Sequence, residues 1–181
     1  MVPDADAAEP LILTLKMDER SQELFDGLRE LHFPPERNYL RAHLTLFHKL
    51  PGEREDGISA DLREICLGRE PLTMTATNIL LLGRGVAYEL SSPELVALRR
   101  ELVTGWEPWL GAQDSQGFKP HVTVQNKVAP ETARALHGRL LATFSPFDVG
   151  GVGLSLWRYL GGPWEPVGTH LFGDRSGEVG P

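Results

Sequence analysis

Two stretches constrain this chain more than anything else in it: Arg41–Lys49 (RAHLTLFHK) and Lys119–Lys127 (KPHVTVQNK). Aligned on their histidines, both read basic-x-His-x-Thr-x-x-x-Lys, which pairs Arg41, His43, Thr45 and Lys49 with Lys119, His121, Thr123 and Lys127. Side chains of a β-strand alternate between faces, so residues at odd offsets share one face. Leu44 and Leu46 in the first copy, and Val122 and Val124 in the second, take the opposite face, as a core requires. Each strand then offers a cation, an imidazole, a hydroxyl and an ammonium to one surface. Such a face fits a phosphate group.

The rest of the chain repeats around these stretches. A strand over Leu11–Met17, a helix over about 19–32 capped by Asp18 or Ser21, and the motif strand Tyr39–Leu50 come first. Leu24, Leu28 and Leu31 form the expected inward stripe of that first helix. A charged loop at Pro51–Gly57, a helix over Ile58–Leu67 with Leu62 and Ile65 inward, and a strand over Pro71–Leu82 follow. After the Gly83-Arg84-Gly85 turn the order begins again: strand Val86–Leu90, helix Pro93–Trp109 capped by Ser92, strand Phe118–Val128 and helix Pro130–Thr143. Strands Phe147–Leu160 and Pro163–Phe172, joined at Gly161-Gly162, close the pattern. The histidines lie 78 residues apart and the opening strands 75 apart. Repetition on that scale predicts an α+β fold of two β-α-β-α-β lobes with antiparallel sheets, related by a pseudo-twofold axis across a central cleft. Residues 11–172 form a single bilobal domain in this reading, with exchange of terminal strands between lobes open. Residues 1–10 are a disordered lead-in and 173–181 a flexible tail.

Composition narrows the partners. With 25 acidic residues against 18 basic ones the net charge is −7, which argues against coating long nucleic acid by bulk electrostatics. A few local cations still set the potential of a cleft, and of the four lysines, Lys16, Lys49, Lys119 and Lys127, three belong to the repeated stretches. Cys66 is the sole cysteine, so an internal disulfide and a thiolate-cluster metal site are both excluded. No apolar run is long enough to span a membrane, and the acidic N-terminus lacks signal-peptide order. A cytoplasmic monomer without membrane partners is expected.

Two histidines and two hydroxyls suffice to cleave a phosphodiester. One neutral imidazole takes a proton from water while the other, protonated, gives one to the leaving oxygen. The hydroxyls of Thr45 and Thr123 donate to non-bridging oxygens as charge grows there. Lys49 and Lys127 add positive field or, equally, protect strand edges. Arg41 and Lys119, at the entering ends of the motif strands, steer the ligand. Phe47, Trp157, Tyr159 and Trp164 are candidates to stack on a nucleobase, against core packing as the ordinary role, and Arg158 is a candidate phosphate contact. Phe47 shares the motif-face parity, whereas Arg158 opposes Trp157 and Tyr159. His48 falls on the face opposite His43 and reads as a core-edge or loop residue; His32, His137 and His170 have no partners at ligand spacing.

The paired HLTL (His43–Leu46) and HVTV (His121–Val124) segments resemble those of the 2H phosphoesterase superfamily, and over residues 11–172 the chain is similar to its bacterial 2′-5′ RNA ligase / RNA 2′,3′-cyclic phosphodiesterase branch. The resemblance implies an enzyme that needs no metal, ATP or other cofactor and acts on RNA ends or nucleotides bearing a cyclic phosphate or a 2′-5′ linkage. It implies hydrolysis of 2′,3′-cyclic phosphates, with reversible 2′-5′ ligation as a further activity. His43 would protonate the leaving ribose oxygen, His121 would activate water, and Thr45 and Thr123 would hold the phosphate. The alternatives are a nucleotide- or RNA-binding module without turnover and an enzyme for another small cyclic phosphate.

Overall fold

A computed structural model describes residues 8–173; most of the lead-in and nearly all of the tail lie outside the described residues. Seven strands and five helices follow in the order β1 (Leu11–Met17), α1 (Glu19–His32), β2 (Leu44–Leu50), α2 (Glu55–Leu67), β3 (Leu72–Leu81), β4 (Val86–Ser91), α3 (Pro93–Trp106), α4 (Ala112–Ser115), β5 (His121–Gln125), α5 (Pro130–Thr143), β6 (Phe147–Tyr159) and β7 (Trp164–Leu171). The fold is α+β, as the repeat predicts. Local signals placed the helix starts: Asp18 Oδ1 accepts the Ser21 amide and Ser92 Oγ accepts the Leu95 amide. Pro130 opens α5, and the turns at Gly83 and Gly161 take positive φ angles of 79° and 83°.

All seven strands join one antiparallel sheet in the order β2-β1-β6-β3-β4-β5, with β7 also on β6. The long β6 links the two halves. Gly151–Arg158 pairs with β1, Phe147–Gly151 pairs with β3, and Gly153–Tyr159 pairs with β7. Each half thus takes a strand from the far side of the repeat: β3 runs beside β4, and β6 beside β1. The two motif strands, β2 and β5, sit at opposite ends of the sheet order, yet they touch each other, because the sheet bends to bring its ends together.

The core fills one face of this sheet. Leu11, Leu13, Leu15, Leu44, Leu46, Val122, Val124, Leu154 and Leu156 are all buried, with the helices covering them. Helix α1 turns a different face inward from the leucine stripe expected of it. Ser21, Phe25 and Arg29 are buried, whereas Leu24 is 44% and Leu31 76% exposed. The polar residues win because they have specific partners. Ser21 Oγ accepts the Gly150 amide, and Arg29 reaches across to β5.

Both motif strands are shorter than expected. β2 starts at Leu44 rather than Tyr39, and β5 spans His121–Gln125 rather than Phe118–Val128. Each also carries a β-bulge at the same step after its histidine. Thr45 faces Thr14 and Phe47 faces the next residue, Leu13; Thr123 faces Ala87 and Gln125 faces the next, Val86. Two residues on the motif strand thus oppose one on its neighbour, which reverses the side-chain alternation.

Candidate functional site

His43 and His121 are held alike. The residues before each leave the regular strand, and the histidine Nδ1 sits 2.8 Å from the Arg41 carbonyl in the first copy and 2.9 Å from the Lys119 carbonyl in the second. A carbonyl only accepts, so Nδ1 carries the proton in both rings and Nε2 is left as the free nitrogen. The contribution of Arg41 and Lys119 that the structure shows is therefore made by main chain. The approach to His43 is fixed further by α1: Asp26 accepts the Ala42 amide at 2.7 Å and Arg41 Nε at 2.8 Å, while Gln22 Nε2 donates to the Ala42 carbonyl at 2.8 Å. Thr45 and Thr123 follow their histidines on the same faces, half-buried.

Each half clamps the motif strand of the other. Arg29 of α1 donates from Nη1 to the Thr123 carbonyl at 3.2 Å and from Nε to Asn38 Oδ1 at 3.0 Å. Arg99 of α3 donates from Nε to the Leu46 carbonyl at 2.9 Å and from Nη2 to the Asp114 carbonyl at 2.6 Å. Asp114, 2% exposed, accepts the amides of His48 and Lys49, each at 2.8 Å, with His48 Nδ1 at 3.1 Å. Those are the amides that the irregular end of β2 leaves unpaired. The hydrogen bonds hold the Asp114 carboxyl below its usual range against the opposing effect of burial.

Around His43 the sheet is unlike that around His121. A row of hydroxyl residues runs from Thr45 through Thr14 and Ser155 to Thr169, each directly opposite the next. Trp157 Nε1 donates to Thr14 Oγ1 at 2.9 Å, and Ser155 Oγ bonds Thr169 Oγ1 at 3.1 Å. Trp164 lies 4.6 Å from the His43 ring, centroid to centroid, with Trp157 6.1 Å beyond. Loss of solvent pushes the His43 imidazole down to about 4; the hydrogen bond to Arg41 opposes this, and charge on Arg29, His121 and His48 adds to it. The influence of His121 on His43 reflects the closeness of β2 and β5.

Several expected contacts go elsewhere. Phe47 does not face the site: the bulge turns it into the core, fully buried, 5.3 Å from Trp106 and beneath the Arg99 guanidinium. Arg158 is bound to Glu55 at 2.7 and 2.8 Å and paired with Glu165, so it ties α2 to the β6–β7 hairpin rather than standing free for a phosphate. Lys49 lies beyond the broken register of β2, and Lys127 follows the end of β5 with a φ of 59°; both are exposed. Tyr159 is 38% exposed opposite Trp164 at the hairpin end. The expected site set lacks Asp26, Asp114 and Thr14, which only tertiary pairing identifies. Among the described residues, no three His, Cys, Asp or Glu cluster as metal ligands would, and no helix is long and apolar enough to cross a membrane.

Solved structures share this architecture. TT0787 of Thermus thermophilus matches with a TM-score of 0.65 at 15% identity, over 92% of this chain and 99% of that one. LigT of E. coli matches with a TM-score of 0.59, at 18% identity in its complex with 3′-AMP and 19% in its complex with NADP+, over 92% of this chain and 99% of LigT. At such identities the likeness is one of fold. No curated protein matches the sequence. The model of the 2'-5' RNA ligase superfamily matches residues 17–163, a span that contains both His-x-Thr segments. On that match the chain belongs to the 2′-5′ RNA ligase superfamily of 2H phosphoesterases.

Proposed function

We propose that this protein hydrolyses 2′,3′-cyclic phosphate ends of RNA or nucleotides, using His43 and His121 as the proton carriers and Thr45 and Thr123 as phosphate ligands. The observation that carries the reading is the matched pair of imidazoles on touching strands, each with Nδ1 committed to a carbonyl and Nε2 free. In the reaction one Nε2 takes a proton from water as its oxygen bonds to phosphorus. The other histidine, protonated at Nε2, gives that proton to the ribose oxygen as its bond to phosphorus breaks. The threonine hydroxyls donate to the non-bridging oxygens. The scheme calls for no metal or ATP. LigT, similar in fold, has been crystallised with phosphate and with 3′-AMP, ligands of the kind this site would hold.

Burial favours the neutral form of His43, the form that accepts a proton, so in this proposal the pseudo-symmetric pair also admits the order opposite to the one the resemblance implies, with His43 as base.

The deciding experiment is turnover of 2′,3′-cyclic AMP and of a short RNA ending in a cyclic phosphate, with EDTA and without ATP. Turnover that persists there and falls by at least about a hundredfold in both His43→Ala and His121→Ala supports the reading. No turnover by the folded protein, or turnover that needs a metal, overturns it; ligand binding without turnover would favour a nucleotide-binding role.

A further inference from the structure

The repeat makes the two motifs alike, but their surroundings differ. Beside His43 stands the indole of Trp164, with that of Trp157 behind it. Beside His121, where β4 ends and β5 begins, a pocket of about 500 Å³ opens, with Thr77, Glu89, Ser91, Phe118, Lys119 and Pro120 in its lining. That volume lies in the range of small-molecule sites. Glu89 is the β4 residue directly opposite His121, and directly opposed residues of neighbouring strands share a face. Glu89 thus ties the pocket to the face of the sheet that carries His121.

Two of its groups are uncommitted. The Glu89 carboxylate and the Lys119 ammonium make no ion pair with each other or with any other of the described residues. By contrast Ser92 Oγ is used by the Leu95 amide, and Thr77 Oγ1 donates to the Glu89 carbonyl. A pocket with a free anion and a free cation suits a ligand with grouped N–H donors at one place and acceptor or anionic oxygens at another. A nucleotide has both.

Building on the cyclic-phosphate reading, we propose that this pocket is a nucleobase subsite selective for guanine, with Glu89 reading the base and Lys119 anchoring the nucleotide. A carboxylate only accepts hydrogen bonds. Guanine offers N1–H and N2–H side by side, matching two carboxylate oxygens. Adenine and cytosine offer one amino group beside a ring nitrogen whose lone pair faces the second oxygen. Uracil has one N–H flanked by two carbonyls. The expected order is guanine first and uracil last. Lys119, a flexible point charge, contributes to every base through the nucleotide's oxygens.

The test compares the 2′,3′-cyclic phosphates of guanosine, adenosine, cytidine and uridine on the full chain. In parallel, calorimetry follows binding of 3′-GMP and 3′-UMP. Guanosine should exceed uridine in kcat/KM by about tenfold or more, the discrimination expected of a two-point contact. Glu89→Gln, whose carboxamide offers one acceptor and one donor, should lower the guanosine value and remove its advantage over uridine, whose N3–H and carbonyl match that pair. Lys119→Ala should weaken all four substrates to a similar degree. Equal rates on all four bases, or a Glu89→Gln loss shared by all four, overturn the subsite. If no substrate turns over, tighter binding of 3′-GMP than 3′-UMP that disappears in Glu89→Gln keeps the subsite and removes the hydrolytic reading. Equal binding of the two removes the subsite as well.

Discussion

Arg29 of α1 donates to the main-chain carbonyl of Thr123, 94 residues later and in the other half of the repeat, at 3.2 Å. Arg99 of α3 does the same in the opposite sense, to the carbonyl of Leu46. The two motif strands have no ladder between them, and these arginines help hold the strands together. The arginines occupy different positions along their helices, so a direct superposition of the two sequence halves would not pair them. Both are buried, at 4% and 8% exposure, and both rest on an aromatic ring.

Removing Arg29 should therefore separate stability from local damage. Arg29→Met leaves the Thr123 carbonyl and Asn38 without a donor and should cost about 1.5–3 kcal/mol in urea unfolding. Arg29→Lys should recover little, since a single ammonium does not reproduce the planar fork that serves both acceptors. A loss below about 0.5 kcal/mol would show that the strands are held by packing alone.

Asp114 closes the irregular end of β2 by taking two amides with one carboxylate. Asp114→Asn keeps the shape but replaces one acceptor by a donor facing an amide. The expected cost is about 1–3 kcal/mol, read by thermal or urea unfolding at pH 7. Because the folded carboxyl lies below its unfolded range, its contribution is fully present above the unfolded value and is lost as pH falls through the folded one. The gap between wild type and Asp114→Asn should consequently narrow in acid. A gap independent of pH would contradict the charge's role.

Trp164 covers the His43 ring. Trp164→Ala readmits water to the imidazole and should raise its pKa from about 4 toward the ordinary 6.5, which an NMR titration of the ring proton would follow. The sign for stability follows. An unfolded chain takes up the proton near 6.5 and the folded one only near 4, so wild-type stability declines as pH drops across that window. In the variant the His43 share of that decline should shrink. If His43 still titrates near 4 without the indole, its desolvation comes from other neighbours.

Gln125 occupies the position in the second motif that Phe47 occupies in the first, and the shared bulge turns both inward. Phe47 meets Trp106, whereas Gln125 is 4% exposed and its Oε1 has no partner among the described residues. A buried acceptor without a donor is costly, and replacing it by an apolar group of similar shape removes that cost. Gln125→Met should leave the denaturation midpoint unchanged or raise stability by up to about 1 kcal/mol. A clear destabilisation would mean the amide has a role in holding β5.

Except for the short α4, the order of strands and helices was legible in the residues. Short-range physics sets it: the alternation in LILTLKM, the caps at Asp18 and Ser92, and Pro130 at a helix start each act within one or two turns of chain. The two His-x-Thr segments were legible too, because a duplicated pattern carries its register with it. Strand alternation then placed Thr45 beside His43 and Thr123 beside His121, but it failed one step later at Phe47. A bulge depends on the neighbouring strand, and nothing local to Phe47 announces it. The same holds for α1, whose leucines look like its inner stripe until Arg29 finds the Thr123 carbonyl. Arg158 reads as a free cation until Glu55 and Glu165 are seen to bind it. Local sequence determined the elements and the chemical groups they present. Tertiary structure decided which of those groups meet, because hydrogen bonds and ion pairs depend on distance in space, and only the folded sheet brings residues 29 and 123, or 48 and 114, within reach of each other.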